Sequence, residues 1–94
     1  MSLRITTHTL EYVFVPVTVD GVAPDPGLPV EMALPAEGSA PATWVAATWN
    51  NGEAQVLVGT GGDFAPTVGR YDVWVRITSS PELTARNAGL LVVA

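Results

Sequence analysis

Strict alternation between Gly69 and Thr78 constrains this chain more than any other feature. Tyr71, Val73, Val75 and Ile77 recur at period two, and Asp72, Trp74, Arg76 and Thr78 fill the positions between them. An extended strand sends those two sets to opposite faces, whereas a helix would scatter both around its axis. The first face reads as core. The second carries two charges and an indole, and reads as wet or as contact surface. Val68-Gly69-Arg70-Tyr71 reads as a turn feeding a central strand.

Eight prolines and nine glycines spread through 94 residues cut the chain into short pieces and leave no room for long helices. Only 14% of the residues are charged and nearly half are apolar, so the composition is that of a folded chain. The apolar set is rich in valine, which with abundant threonine favours strands. The length suits one domain over residues 1–94. A domain this small is marginal, because ordering costs about 1.5 kcal/mol per residue and burying a valine or leucine returns only about 1.5–3 kcal/mol. Without cysteine no disulfide can offset that cost. The remaining routes are a tight core or neighbours in an assembly, and the surplus of apolar residues favours neighbours.

In chain order, Leu3 and Ile5 share one side of a short first strand, expected at an edge. His8 follows in a threonine-rich link and reads as an exposed loop residue. Residues 11–19 form the second strong strand, with Val13, Val15, Val17 and Val19 on one face and Tyr12, Phe14, Pro16 and Thr18 on the other. Pro16 cannot donate a ladder hydrogen bond, so the strand is an edge there or bends there. With the valines in the core, Tyr12 and Phe14 become a surface aromatic pair, covered either by a partner or by a loop or chain end. Asp20-Gly21 and Pro24-Asp25-Pro26-Gly27 are turn chemistry, and they lack the ligand spacing of a calcium loop. Val30, Met32 and Leu34 point inward until Pro35 ends their strand.

Residues 43–49 read as one strand, with Trp44, Ala46 and Thr48 opposed to Val45, Ala47 and Trp49. One tryptophan is expected against the core, with Trp44 the preferred choice. Asn50-Asn51-Gly52 is a tight-turn signal that joins this strand to residues 53–58 as a hairpin. Phe64 is expected to fold back onto the end of the molecule. After the central strand come a turn at Ser79-Ser80-Pro81-Glu82, an irregular stretch over residues 83–87, and a last strand over residues 88–94. That strand is apolar on both faces, and left open it would invite pairing through Leu90 and Val92. About seven short strands result: an all-β chain, read as an immunoglobulin-like β-sandwich.

Chemistry is harder to find. There is no cysteine and one histidine, with no metal-ligand spacing and no cofactor fingerprint. Gly59-Thr60-Gly61-Gly62 lacks the lysine and the helix of a phosphate loop and reads as a flexible connection. The acids sit mostly in turns. No catalytic residue, metal ligand or cofactor is expected. The net charge of −5 and four scattered arginines (Arg4, Arg70, Arg76 and Arg86) argue against nucleic acid as a partner. No segment has the apolar length of a membrane helix or signal peptide, so the expectation is a soluble chain without its own export signal. What remains is surface. Tyr12, Phe14, Trp74 and Arg76, with Leu90 and Val92, are the candidates for a protein interface. Stacking of Arg76 on Trp74 within the chain is the competing account of that pair.

Two resemblances extend this reading. Tyr71 just inside its strand, with Gly69 two residues earlier, resembles the tyrosine corner of immunoglobulin-like sandwiches. Ser2-Leu3-Arg4-Ile5, residues 11–17, the Val58–Gly62 loop, residues 69–78 with Ser80-Pro81-Glu82, and Ala88-Gly89-Leu90 together resemble small structural proteins of tailed bacteriophages infecting actinobacteria. The resemblance implies a virion component, assembled in the host cytoplasm, that binds the major capsid protein or head–tail connector subunits in many copies. It would act as a decoration, cement or head accessory protein. Phe14 stands where such a chain is expected to carry a polar residue. An adhesion module that binds host carbohydrate on Trp49 or Trp74 is the alternative.

Overall fold

A computed structural model describes residues 2–17, 27–79 and 82–94. The expected turns at Asp20-Gly21, Pro24-Asp25-Pro26 and Ser80-Pro81, and Thr18 and Val19 of the second strand, lie outside the described residues. The strands are β1 (Ser2–Ile5), β2 (Glu11–Pro16), β3 (Val30–Ala33), β4 (Val45–Ala46), β5 (Thr48–Asn50), β6 (Glu53–Val58), β7 (Gly69–Ser79) and β8 (Glu82–Val93). No helix occurs among the described residues. One sheet runs β1-β8-β7-β3-β4 and the other β2-β6-β5. Among the described strands, β1 and β8 pair in parallel and the other pairs are antiparallel.

The two sheets meet over the valine-rich interior that the alternation predicts. Val13, Val15, Val56 and Val58 from the smaller sheet pack with Val30, Met32, Val73, Val75 and Leu91 from the larger. Phe64 returns to the edge of this core, as expected. Tyr71 packs beside it, and its hydroxyl donates to the Thr67 carbonyl at 2.8 Å. Gly69 lies under the ring, where a Cβ would make only an ordinary contact at 3.6 Å.

Four expectations change. The strand expected over residues 43–49 is two strands in two sheets. β4 pairs with β3, the Ala47 amide then donates to the Val30 carbonyl at 2.9 Å, and β5 pairs with β6. This crossing raises the strand count to eight. Alternation survives it, but with Trp49 packed against the core and Trp44 on the outer side, the reverse of the preferred assignment. The Trp49 indole donates to the Leu28 carbonyl at 2.9 Å, which satisfies its one polar atom.

Residues 83–87 are strand, not irregular. Val73 pairs with Gly89 and Trp74 with Asn87, so Ala88 is an extra residue in the ladder. A bulge of this kind reverses the inward parity of its strand. Odd positions 83, 85 and 87 lie on the outer side before it, and odd positions 91 and 93 on the core side after it. Gly89, at φ 150°, sits in the bulge and donates its amide to Asn87 Oδ1 at 3.0 Å. A period-two reading fails across such a point.

Finally, the last strand is not open. Residues 90–93 pair with β1 on one side and β7 on the other. The apolar run is there because both of its edges and one of its faces are covered.

Candidate interaction surfaces

The larger sheet turns outward a face whose polar groups are largely matched to one another. Arg76 sits opposite Glu31 across β7 and β3, and its Nε and Nη2 both donate to Glu31 Oε1, at 3.0 and 2.7 Å. The same guanidinium lies 4.3 Å from the centroid of the Trp44 ring. Such a stack contributes about 0.5–1 kcal/mol when partly exposed. Asp72 accepts the Gly38 amide at 2.9 Å, and Arg70 holds Glu37 at 2.9 Å. The Glu37 hydrogen bond, and then its charge, raise the Arg70 pKa further above its already high ordinary value. Ala33, opposite Trp74 in the ladder, is only 1% exposed on this outer side. The Trp74 indole nitrogen is buried without a hydrogen-bond partner. Leu90 and Val92 are half-buried on the same face, Leu90 at a ladder position between Asp72 and Ser2 and Val92 between Arg70 and Arg4.

The smaller sheet differs. Two features show which way its backbones point. Asn51 and Gly52, at φ 50° and 80°, form the expected two-residue turn between β5 and β6. In such a hairpin the flanking pair, Asn50 and Glu53, is hydrogen-bonded, so Gln55 and Leu57 also direct their backbones toward β5. Ala54, Val56 and Val58 then face β2. The Val17 amide donates to the Gly52 carbonyl at 3.2 Å in the same register. The odd residues of β2 are therefore spent on β6, and Tyr12, Phe14 and Pro16 direct their backbones to the outer edge. Pro16 sits where its missing amide breaks no bond to β6. Among the described residues, no strand pairs with that edge.

The side chains of those same residues form an apolar stripe. Leu10, Tyr12 and Phe14 are 52%, 49% and 36% exposed, and the Tyr12 and Phe14 rings are 6.0 Å apart. Leu57 lies beside Tyr12 on the next strand. The stripe is anchored from behind at its first residue. The Gly59 Cα approaches the Thr9 carbonyl and Leu10 so closely that a Cβ would lie 2.8 Å from Leu10 Cα. The loop that follows is tied down, with the Asp63 carboxylate accepting the Leu57 amide at 2.9 Å. Val68 and Leu83, the other large exposed apolar residues, lie in other elements.

Of the expected interface residues, Tyr12 and Phe14 stand together in the open. Arg76 is engaged within the chain, on Trp44 in place of Trp74. Leu90 and Val92 offer side chains but no strand edge. Trp49, one of the two rings considered for carbohydrate, is packed against the core. Leu10 was missed because it precedes the strand, although it keeps the even parity of Tyr12 and Phe14. Glu31 and Trp44 were missed as partners of Arg76 because they lie 45 and 32 residues away. Among the described residues, grooves of about 350, 450 and 610 Å³ open on the surface, and of the side chains lining these the one ionisable group is Glu31, already bound to Arg76. No model of a known protein family, no curated protein and no solved structure matches the chain.

Proposed function

We propose that this chain is a non-enzymatic structural subunit that acts by contact, as a virion protein of a tailed bacteriophage bound to capsid or head–tail connector subunits. The observation that carries the contact reading is the stripe of Leu10, Tyr12 and Phe14 beside a strand edge that no strand pairs with among the described residues. Apolar side chains and backbone groups left open at one place mark an interaction surface. The particle assignment rests on the sequence resemblance to phage structural proteins.

The fold proposed for this subunit is immunoglobulin-like. β2-β6-β5 corresponds to strands B, E and D of that fold, and β8-β7-β3-β4 to G, F, C and C′. Tyr71 stands near the start of the F equivalent and bonds back to Thr67, as a tyrosine corner does. The chain departs from antibody domains in having no cysteine, and in burying Met32 on the C equivalent where they bury a tryptophan.

Incorporation into particles tests the function. Replacing Leu10, Tyr12 and Phe14 together by lysine is expected to abolish it while circular dichroism still reports a folded β protein. Unchanged incorporation of that variant removes the contact reading. Quantitative mass spectrometry of the wild-type particle then separates shell from joint: hundreds of copies mean decoration, about a dozen mean a connector position.

A further inference from the structure

We infer that the partner of the β2 edge is the β2 edge of a second copy of this chain, joined antiparallel about a two-fold axis at Val13. This rests on the reading of that edge as the contact surface, and not on which particle the chain serves. An antiparallel partner strand must place its hydrogen-bonding residues opposite Tyr12 and Phe14, whose amides and carbonyls point outward. In the two-fold register centred on Val13, Tyr12 of each copy faces Phe14 of the other. Each such pair exchanges two backbone hydrogen bonds, so the centre of the joint is fully bonded.

The same register accommodates the residues that would otherwise oppose pairing. Pro16 falls opposite Leu10 at the very end of the ladder, where its missing amide removes one bond per end and interrupts nothing. Glu11 is the only charged side chain of β2. It falls opposite Val15, so the two Glu11 carboxylates stand four residues apart along the ladder, roughly 13 Å, instead of face to face. On the outer face the exposed stripe meets its own reverse: Leu10, Tyr12, Phe14 and Pro16 against Pro16, Phe14, Tyr12 and Leu10. Aromatic cross-strand pairs of this kind are among the most favourable in sheets. The two three-stranded sheets become one sheet of six, and the β2 edge of each copy is paired. Isologous contacts need such a self-complementary patch.

The test uses the isolated full chain. Sedimentation velocity across a concentration series is expected to show a monomer–dimer equilibrium. Hydrogen exchange is expected to show the Tyr12 and Phe14 amides protected at high concentration and released on dilution. Phe14→Lys and, separately, Tyr12→Lys should each weaken dimerisation by about a hundredfold or more, since each change enters the two-fold interface twice. Leu83→Lys, at an exposed apolar residue of another element, should leave it unchanged. A chain that stays monomeric at all concentrations overturns the inference. So does a dimer in which the Tyr12 and Phe14 amides exchange freely. If the chain is monomeric yet Phe14→Lys still blocks particle incorporation, self-pairing is wrong and the contact reading stands. If it dimerises as described and the variant incorporates normally, the inference stands and the virion contact lies elsewhere.

Discussion

The outer faces of the two sheets solve opposite problems. On the larger sheet, Arg76, Glu31 and Trp44 complete one another, Asp72 caps a turn at Gly38, and Arg70 holds Glu37. Charged and aromatic residues that look like interface anchors in sequence are there occupied within the chain. On the smaller sheet nothing among the described residues occupies Tyr12 and Phe14, and the strand that carries them has a free edge. Residue type alone therefore does not mark a binding surface. The distinction lies in whether a side chain's partner is already supplied by the same fold.

That contrast can be broken or sharpened by mutation. The largest effect is expected at Gly59, at φ 138°, where an added Cβ would also press into the backbone of the 9–10 segment that leads into the stripe. Gly59→Ala should cost about 3 kcal/mol or more. At about 4–8 °C per kcal/mol for a domain of this size, calorimetry should record a melting temperature lower by about 12 °C or more. Next comes the self-satisfied face. Arg76→Ala removes the stack on Trp44 and leaves Glu31 half-buried without its cation, for a loss of about 1–2 kcal/mol in denaturant unfolding. A double-mutant cycle of Arg76 with Trp44 should assign about 0.5–1 kcal/mol of this to the pair. Neither variant should alter association.

The aromatic stripe should behave in the reverse sense. Phe14→Lys is expected to change unfolding stability, compared at concentrations where the chain is monomeric, by no more than about 0.5 kcal/mol, while contact with other chains is lost. A large loss of stability in Phe14→Lys, or a large loss of association in Arg76→Ala, would invert the comparison. The smallest effect is expected at Arg70, whose pair with Glu37 is open to solvent. Its folded-state pKa is raised, so the contribution is fully present below the unfolded value and lost only as pH rises through the folded one. Arg70→Ala should accordingly leave the shape of the stability profile between about pH 6 and 9 unaltered.

Much of this arrangement was legible in advance. The valine face of residues 13–17, the core face of residues 71–77, the turn at Asn51-Gly52 and the placement of Phe64 all follow from local chemistry, and Pro16 narrows its strand to an edge or a bend, of which the structure has the edge. The candidate site was half legible. Tyr12 and Phe14 are exposed where alternation puts them, whereas Arg76 is matched within the chain, Leu90 and Val92 lie on a strand paired at both edges, and the Trp74 indole nitrogen is buried without a partner.

Sequence by itself determined which side chains travel together on one face, because the strand repeat of two is a property of the local backbone. It also determined where the chain turns, because Gly, Asn and Pro limit φ locally. Only the tertiary structure decided which of two apolar faces meets the core, as with Trp44 and Trp49, and which strand covers which edge, as with β1 beside β8. It also decided where a bulge at Ala88 reverses parity and that Arg76 finds Trp44. Each of these depends on pairing between residues far apart in the chain, and such pairings are set by the whole set of strands competing for one interior.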